Sequence, residues 1–365
     1  MRRDKVLRFL GIAFAVGAFL GLVSGLAFGG TRSDSGTPKV AASAGRTGSA
    51  AGGSGNTSST FSGPVTAAQA SAIGANELGE IPVFMYEDVD PQGGNGVRTP
   101  DELSKDIDYL KSKGFVPINL RDLASGNIDI PAGKSPVVLT FDDSTIGQYD
   151  ILDDGTLDPQ SAVGILQAAA SGSGWGAKAT FYCLIDVTSK DKELFGQSDR
   201  QQEKLRNLVD WGYEIGSHTV SNLNLQKASP ADVKKELGDS QQRLQTLIGG
   251  GYQVTSLSVP SGAYPADMSL LSSGIYNGKT YAYTSAVTTG DKPSFSPFSK
   301  LFDPMRITRI QVTGSNLRTA IDDLVSHTEL RYVSDGDPTT VSAPKTLADA
   351  LGAVKDDLGR PLVRY

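Results

Sequence analysis

The sequence predicts an α/β fold built on a mainly parallel sheet or barrel. Three observations support this prediction: short β-rich runs alternate with helical patterns from about residue 81 onward, helix-start signals follow several runs, and polar residues stand where predicted strands end. Strand–helix–strand alternation favours parallel pairing, because a parallel partner needs a crossover connection. In such folds the chemistry lies at the C-terminal ends of the strands.

Periodicity and turn residues locate the individual elements. Strands are predicted where short apolar or β-branched runs occur, at residues 81–86, 116–120, 135–141, 179–185, 213–216 and 254–259. Helices are predicted from 99 to 114, from 158, and over 203–211, 230–247 and 317–325. The first helix has the clearest signals, with Thr99 as N-cap, Pro100 at the first position and Gly114 after its end.

The first 77 residues divide into two segments of different composition. In residues 1–30, four basic side chains precede an apolar run, Phe9 to Phe28, that would span about 30 Å as a helix. This pattern predicts a cytoplasmic basic stub and a transmembrane anchor, with a cleaved signal peptide as the open alternative. Residues 31–77 are rich in Gly, Ser and Ala, which predicts a disordered linker. The folded domain is then residues 78–365, outside the membrane.

Charge and residue counts limit the function. The formal net charge of −6 argues against a nucleic-acid partner, which would require a basic surface. Cys183 is the single cysteine, so no disulfide forms within the chain, and its apolar surroundings predict a buried strand residue. The chain has two histidines, His218 and His327, and this scarcity restricts any metal site.

Two adjacent carboxylates, Asp142 and Asp143, follow the predicted strand at 135–141. Such a pair is costly at a strand end unless it is solvated, ion-paired or bound to a metal. Adjacent strand residues point to opposite sides, so one carboxylate could face a metal and the other an attacking water. A strand end followed by an ordinary turn is the simpler alternative.

Two further segments carry polar groups at predicted strand ends. His218 ends a strand and Asn222 lies four residues later, so one helical turn would place both on one face, as in some metal sites. A structural histidine is the alternative, and Asn is a poor ligand for first-row transition metals. The segment 259–265 is either a plain turn or a source of backbone N–H groups for an oxyanion.

In this order, the motifs resemble those of the polysaccharide deacetylases with a NodB homology domain, the carbohydrate esterases of family four. The family motif Thr-Phe-Asp-Asp-Gly appears as Thr140–Ser144, and Lys-Ala-Thr-Phe-Phe as Lys178–Tyr182. Glu-Ile-Gly-Asn-His-Thr-x-x-His appears as Glu214–Asn222, and the opening Pro-Val-Leu-Met-Tyr-His as Pro82–Glu87. The resemblance covers roughly residues 78–315, with features of an actinobacterial branch, and implies a distorted (β/α) barrel.

The resemblance also implies a reaction and a site. It implies a hydrolase that removes N-acetyl groups from a cell-wall or extracellular polysaccharide, with a divalent metal ion, zinc first among the candidates. Asp142 would be the general base, and Asp143, His218 and Asn222 would occupy the metal positions. The backbone N–H of Ser261 would hold the oxyanion, with Tyr264 beside the substrate. The domain would work outside the cytoplasm, attached to the cell membrane or secreted.

Four departures from the family pattern keep a second function open. Asn222 replaces the second metal histidine, Ser258 replaces an Arg that pairs with the base, and Glu87 replaces the histidine of the first strand. The late Leu-x-His motif, which supplies the general acid, is matched only by Leu324 to His327, at the end of a helical run. The alternative is therefore a catalytically impaired relative that binds glycan outside the cell.

Overall fold

The computed structural model describes residues 64–172 and 174–365. The predicted anchor, residues 1–30, and most of the predicted linker lie outside the described residues. The strands are, in chain order, β1 (Val83–Tyr86), β2 (Asp88–Val89), β3 (Val97–Arg98), β4 (Phe115–Ile118), β5 (Ser135–Phe141), β6 (Thr180–Cys183), β7 (Glu214–Ser217), β8 (Ser256–Ser258), β9 (Gly274–Tyr276), β10 (Lys279–Tyr281), β11 (Ser285–Gly290), β12 (Ile307–Gln311), β13 (Val341–Ala343) and β14 (Leu362–Arg364).

The α-helices pack between and around these strands. In chain order they are α1 (Ala67–Ile73), α2 (Pro100–Ser112), α3 (Leu120–Ser125), α4 (Ala162–Ala170), α5 (Gln201–Asp210), α6 (Pro230–Ile248), α7 (Ser269–Ser272) and α8 (Asn316–Ser326). Helix α2 begins as predicted, with Thr99 as N-cap in a capping box with Glu102. Helix α4 begins later than predicted, because Ser161 rather than Asp158 caps it. Across the described ranges, no helix combines the length and the apolar character that crossing a bilayer requires.

Within the described residues, seven parallel strands close into a barrel. Going around it, the order is β1, β5, β6, β7, β8, β11 and β12, and β12 pairs again with β1. Strand β4 adds to the outside of β5. The barrel is distorted at the β7–β8 seam, where Ser217 opposite Leu257 is the one aligned pair. The predicted α/β fold class and distorted (β/α) barrel are therefore confirmed.

Alternation along the strands separates an apolar outer face from an inner face that carries polar and charged groups toward the mouth of the barrel. On β5, Leu139 and Phe141 pack into the core beneath the helices, while Thr140 contacts Arg309 from across the barrel. The Phe141 ring stacks between Tyr86 and Phe181, with ring centroids 5.1 and 4.9 Å apart. These three rings tie neighbouring strands together on the helix side and leave the interior free for charged groups. Cys183 is buried in this outer core, as predicted.

The folded part begins earlier than the predicted boundary at residue 78. Thr66 and Gln69 form a capping box at the start of α1, and Gly74 ends the helix in the left-handed conformation. Ala70 is fully buried in a small cluster that includes Tyr365. The Gly/Ser/Ala-rich composition concealed these local signals, so residues 64–77 belong to the fold and not to the linker.

A buried carboxylate, Glu77, joins this N-terminal segment to the C-terminal part of the chain. Its Oε2 accepts from the Ser342 N–H (2.8 Å), and its Oε1 accepts from the Tyr332 hydroxyl (3.2 Å) and the Asp335 N–H (3.4 Å). Burial, followed by the negative charge of Asp335, raises the pKa of Glu77 to about 8. The protonated form is therefore the one that the fold favours at neutral pH.

We predict that Glu77 makes the fold less stable as the pH rises. A carboxyl whose folded pKa lies above its unfolded pKa stabilises fully below the unfolded value, and this contribution is lost as the pH passes about 8. The free energy of unfolding should fall by about 2–3 kcal/mol more between pH 6 and 9 in the wild type than in Glu77→Gln. Denaturant titrations at both pH values measure this difference. The exposed Glu329→Gln is the matched control, and equal pH dependence in all three proteins would contradict the prediction.

Candidate active site

The candidate site lies at the mouth of the barrel, where the C-terminal ends of the strands meet. Asp142 continues β5, and its N–H donates to the Tyr86 carbonyl (2.9 Å); His218 continues β7, and its N–H donates to the Cys183 carbonyl (2.9 Å). His218 Nε2 lies 4.0 Å from Asp142 Oδ2 and 3.6 Å from Asp143 Oδ1. Parallel pairing thus brings His218 next to the adjacent Asp142 and Asp143, which are far from it in the sequence.

Arg309, on β12, is a site residue that the sequence analysis missed. It is 1% exposed, and its Nη1 and Nη2 donate to Asp142 Oδ1 (2.6 Å) and Oδ2 (2.7 Å). The same two nitrogens also donate to Thr140 Oγ1 (3.0 Å) and Ser258 Oγ (2.9 Å). A bidentate pair of this kind fixes the plane of the carboxylate as well as its charge. The signal in the sequence is a lone arginine at an inward position of a β-branched run.

The pair with Arg309 decides the charge of Asp142. Burial acts to raise the pKa of Asp142, but the Arg309 guanidinium, with smaller contributions from His218 and Ser258, offsets burial and leaves that pKa below its ordinary value. Asp142 is therefore ionised at neutral pH although it is 5% exposed.

Ser258 stands where the resemblance to the deacetylases leads one to expect the arginine, and it contacts both Asp142 and His218. Its hydroxyl donates to Asp142 Oδ2 (2.8 Å). Its carbonyl oxygen lies 3.0 Å from His218 Nδ1, and since a carbonyl can only accept, Nδ1 carries the proton in this contact. In neutral His218 the lone pair is then on Nε2, the nitrogen that faces Asp143. In this chain the arginine that pairs with Asp142 comes from β12, and the small Ser258 leaves room for it.

Asp143 sits on a tight turn that directs it toward a lysine. Asp143 and Ser144 both have left-handed backbone conformations, with φ values of 74° and 44°. Lys192 Nζ donates to Asp143 Oδ2 (2.8 Å), and the lysine side chain is 39% exposed. The oxygen Asp143 Oδ1 faces His218, so the two oxygens of Asp143 have different neighbours.

Two of the three expected metal positions converge. Two ligands on one ion at about 2.0–2.2 Å lie roughly 3.4 Å apart in tetrahedral geometry, and the observed 3.6 Å between Asp143 Oδ1 and His218 Nε2 fits this. Over residues 64–172 and 174–365, however, no cluster of three or more His, Cys, Asp or Glu side chains is arranged to hold a metal ion. The protein donors that fit a cation are therefore Asp143 and His218.

The helical turn expected between His218 and Asn222 does not form. Glu236, on α6, accepts hydrogen bonds from the Val220 N–H (2.8 Å) and the Ser221 N–H (2.9 Å), which holds this segment as a turn. Asn222 has a φ of 61° and is exposed, and its backbone N–H donates to Thr219 Oγ1 (3.2 Å). The prediction that a helical turn places His218 and Asn222 on one face is therefore wrong. The role of Asn222 as a metal ligand stays a prediction.

Ser261 and Tyr264 follow β8 on the same side of the barrel. Ser261 is exposed and has a left-handed φ of 53° within the 3-10 helix Pro260–Gly262. The Tyr264 hydroxyl donates to the Met305 carbonyl (3.1 Å), and Arg306 lies over its ring at 4.8 Å. Tyr264 therefore has its hydroxyl committed to the backbone and offers mainly its ring to a ligand.

Glu87 and His327, the two remaining departures from the family pattern, lie in different parts of the barrel. Glu87, just after β1, accepts from Gln311 Nε2 (2.9 Å), and burial followed by the charges of Asp143 and Asp142 raises the pKa of Glu87. It adds a third carboxylate to the mouth. His327 ends α8, is exposed and contacts Asp323 Oδ1 at 3.2 Å. Its carbonyl accepts from the Leu330 N–H, close to the start of β1, so it belongs to the opposite end of the barrel.

Comparison with known proteins finds a family match for part of the chain. Residues 129–275 match the family model described as polysaccharide deacetylase. The match covers less than half of the chain, and over these residues it supports the resemblance to the polysaccharide deacetylases. A Bacillus subtilis (strain 168) protein, YxkH, named after the same family, is 23% identical over 190 residues, which are 51% of this chain and 58% of YxkH. The chain thus spans little more than half the length of that curated relative.

Solved structures of deacetylases are also similar. The Streptococcus pyogenes deacetylase PplD, solved in complex with acetate, has 22% identity and a TM-score of 0.48, over 66% of this chain and 98% of PplD. BC0361, a polysaccharide deacetylase from Bacillus cereus, has 19% identity and a TM-score of 0.48, over 66% of this chain and 69% of BC0361. The segment that matches the family model carries Asp142, Asp143 and His218, whereas Arg309 lies beyond it.

We predict that Arg309 is required for stability as well as for the site. Arg309→Met leaves the Asp142 carboxylate buried without its cation, which should lower the free energy of unfolding by about 3–5 kcal/mol. Adding Asp142→Asn in the same chain should recover part of the loss, because the unpaired charge disappears. Urea denaturation measures each step. Arg306→Met, which removes an exposed arginine stacked on Tyr264, is the control and should cost less than about 1 kcal/mol. A loss no larger than that control would contradict the prediction.

Proposed function

We propose that this chain is a hydrolase that removes N-acetyl groups from a cell-wall or extracellular polysaccharide. The observation that carries this proposal is the ionised Asp142, held by Arg309 beside His218 and Asp143, within a segment of the polysaccharide deacetylase family. A fixed carboxylate at an open barrel mouth can accept a proton from water next to a bound acetamide.

The residues of this chain have distinct roles in the proposed reaction. Asp142 accepts a proton from the water that attacks the acetamide carbonyl, and Arg309 keeps its carboxylate ionised and oriented between turnovers. The backbone N–H of Ser261 stabilises the oxyanion, and the Tyr264 ring contacts the sugar. Because His327 lies at the other end of the barrel, we assign the proton that the leaving amine nitrogen needs to Asp142 as well. Water and the acetamide thereby give acetate and a protonated amine, with Asp142 returned to its ionised state.

A divalent cation, with zinc as the ion that the resemblance implies, would be held by Asp143 and His218 and would polarise the acetamide carbonyl and the attacking water. His218 is suited to this, because Ser258 occupies its Nδ1 and leaves Nε2 directed at Asp143. Asn222 would be a third, weaker oxygen donor.

A glycan-binding role without catalysis is the second candidate. Two observations favour it. Asn222, the expected third metal ligand, is exposed, and one carboxylate oxygen of Asp143 is bound to Lys192. Acetate release from acetylated chitin oligomers and from peptidoglycan, with and without added divalent cations, separates the two functions. Glycan binding without acetate release under any of these conditions would favour the second candidate.

We predict that Asp142→Asn and His218→Ala each lower acetate release by at least about 100-fold, through loss of the base and of the cation position respectively. Rates are compared among variants whose folding is verified by thermal denaturation, since Asp142→Asn also removes the partner of Arg309. His327→Ala is the matched control and should keep the wild-type rate, because this histidine is exposed at the opposite end of the barrel. Loss of activity in His327→Ala would show that the acid has been misassigned.

We also propose that the domain lies outside the cytoplasm and is attached to the cell membrane by residues 1–30. The support is the run from Phe9 to Phe28 and the basic residues before it. Protease added to intact cells should degrade the domain, and the full-length chain should sediment with the membranes. A soluble form beginning near residue 30 would instead indicate a cleaved signal peptide.

A further inference from the structure

We infer that Lys192 competes with a divalent cation for Asp143 and so lowers the affinity of the site for the metal. This inference rests on the proposed function, because it concerns the same two donors, Asp143 and His218. It is carried by the position of Lys192, whose ammonium lies 2.8 Å from Asp143 Oδ2.

The lysine is held in place by its backbone as well as by its charge. The Ser144 hydroxyl donates to the Lys192 carbonyl (2.9 Å), and it accepts from the Leu184 N–H (3.1 Å). The Ser144 carbonyl in turn accepts from the Phe195 N–H (2.8 Å). Ser144 is fully buried and stands where the family motif has glycine. The serine thus ties the turn that carries Asp143 to the segment that carries Lys192.

The charges at the mouth explain why this lysine matters. Asp142, Asp143 and Glu87 supply three carboxylates, and Arg309 directs both of its Nη atoms to Asp142 and the groups around it. Lys192 is the cation in contact with Asp143. A divalent ion between Asp143 and His218 would lie within a few ångströms of the ammonium, and this repulsion opposes binding.

The neighbouring Lys190 is a matched control. It belongs to the same 3-10 helix, Lys190–Lys192, but it is 68% exposed and contacts Asp186 and Glu193 rather than the site. Lys192→Arg is a second control, because it keeps a positive charge at the same position.

The test is a zinc titration of the metal-free, full-length protein against a chromophoric chelator. Lys192→Met should bind zinc about tenfold more tightly than the wild type. The controls Lys190→Met and Lys192→Arg should have zinc affinities within about twofold of the wild-type value. Ser144→Gly should give a smaller increase, because it frees the lysine backbone without removing the charge. Adding His218→Ala to Lys192→Met should abolish the gain, which places the bound zinc at this site.

The outcomes separate the inference from the proposed function. Equal or weaker zinc binding by Lys192→Met, with Ser144→Gly unchanged as well, overturns the inference, and acetate release by the wild type would still support the function. Should Lys192→Met fail to fold, Ser144→Gly decides by itself. A gain that survives His218→Ala would also overturn the inference, because the metal would then lie elsewhere.

Discussion

The bidentate ion pair between Arg309 and Asp142 is the interaction on which the rest of this structure depends. Both side chains are buried inside the barrel, and an unpaired charge there costs several kcal/mol. Each partner is therefore tolerated only because the other is present. Thr140 and Ser258 accept further hydrogen bonds from the two Nη atoms of Arg309, so β5, β8 and β12 all contribute to one charged cluster. The contacts that set the geometry of the site therefore also hold the barrel strands together.

The sequence predicts the first half of the barrel better than the second. The barrel strands up to β8, together with β4, follow apolar or β-branched runs that hydrophobicity identifies, whereas the two-residue strands β2 and β3 were not predicted. Strands β11 and β12 were not predicted, although they close the barrel. Their inward residues include Arg309 and Gln311, because the inner face near the mouth of this barrel is polar. Such an alternation looks like an exposed segment in the sequence. The polar inward side chains that contribute to the site are thus the reason why hydrophobicity does not identify these strands.

The same distinction applies to the site residues. Asp142, Asp143 and His218 directly follow strands, so parallel topology alone predicts that they converge. The contacts of Asn222 and Lys192 depend on backbone turns with positive φ and on partners remote in sequence, such as Glu236 for the turn after His218. Local sequence signals contain no information about those partners. A charged residue outside the predicted strands and helices, such as Lys192, is by default expected to face solvent.

The place of Arg309 in the chain has a consequence for how the site comes into existence. Its strand, β12, is the last strand of the barrel, and it pairs with β1, the first. A polypeptide that emerges from its N-terminus presents both aspartates and His218 long before the arginine that stabilises the base. Until residues 307–311 dock against β1, the carboxylate of Asp142 has to remain in water, which opposes early collapse of the interior. Assembly of the base is thereby coupled to closure of the barrel by β12, and a chain without β12 would carry the motif residues without the cation that holds the base.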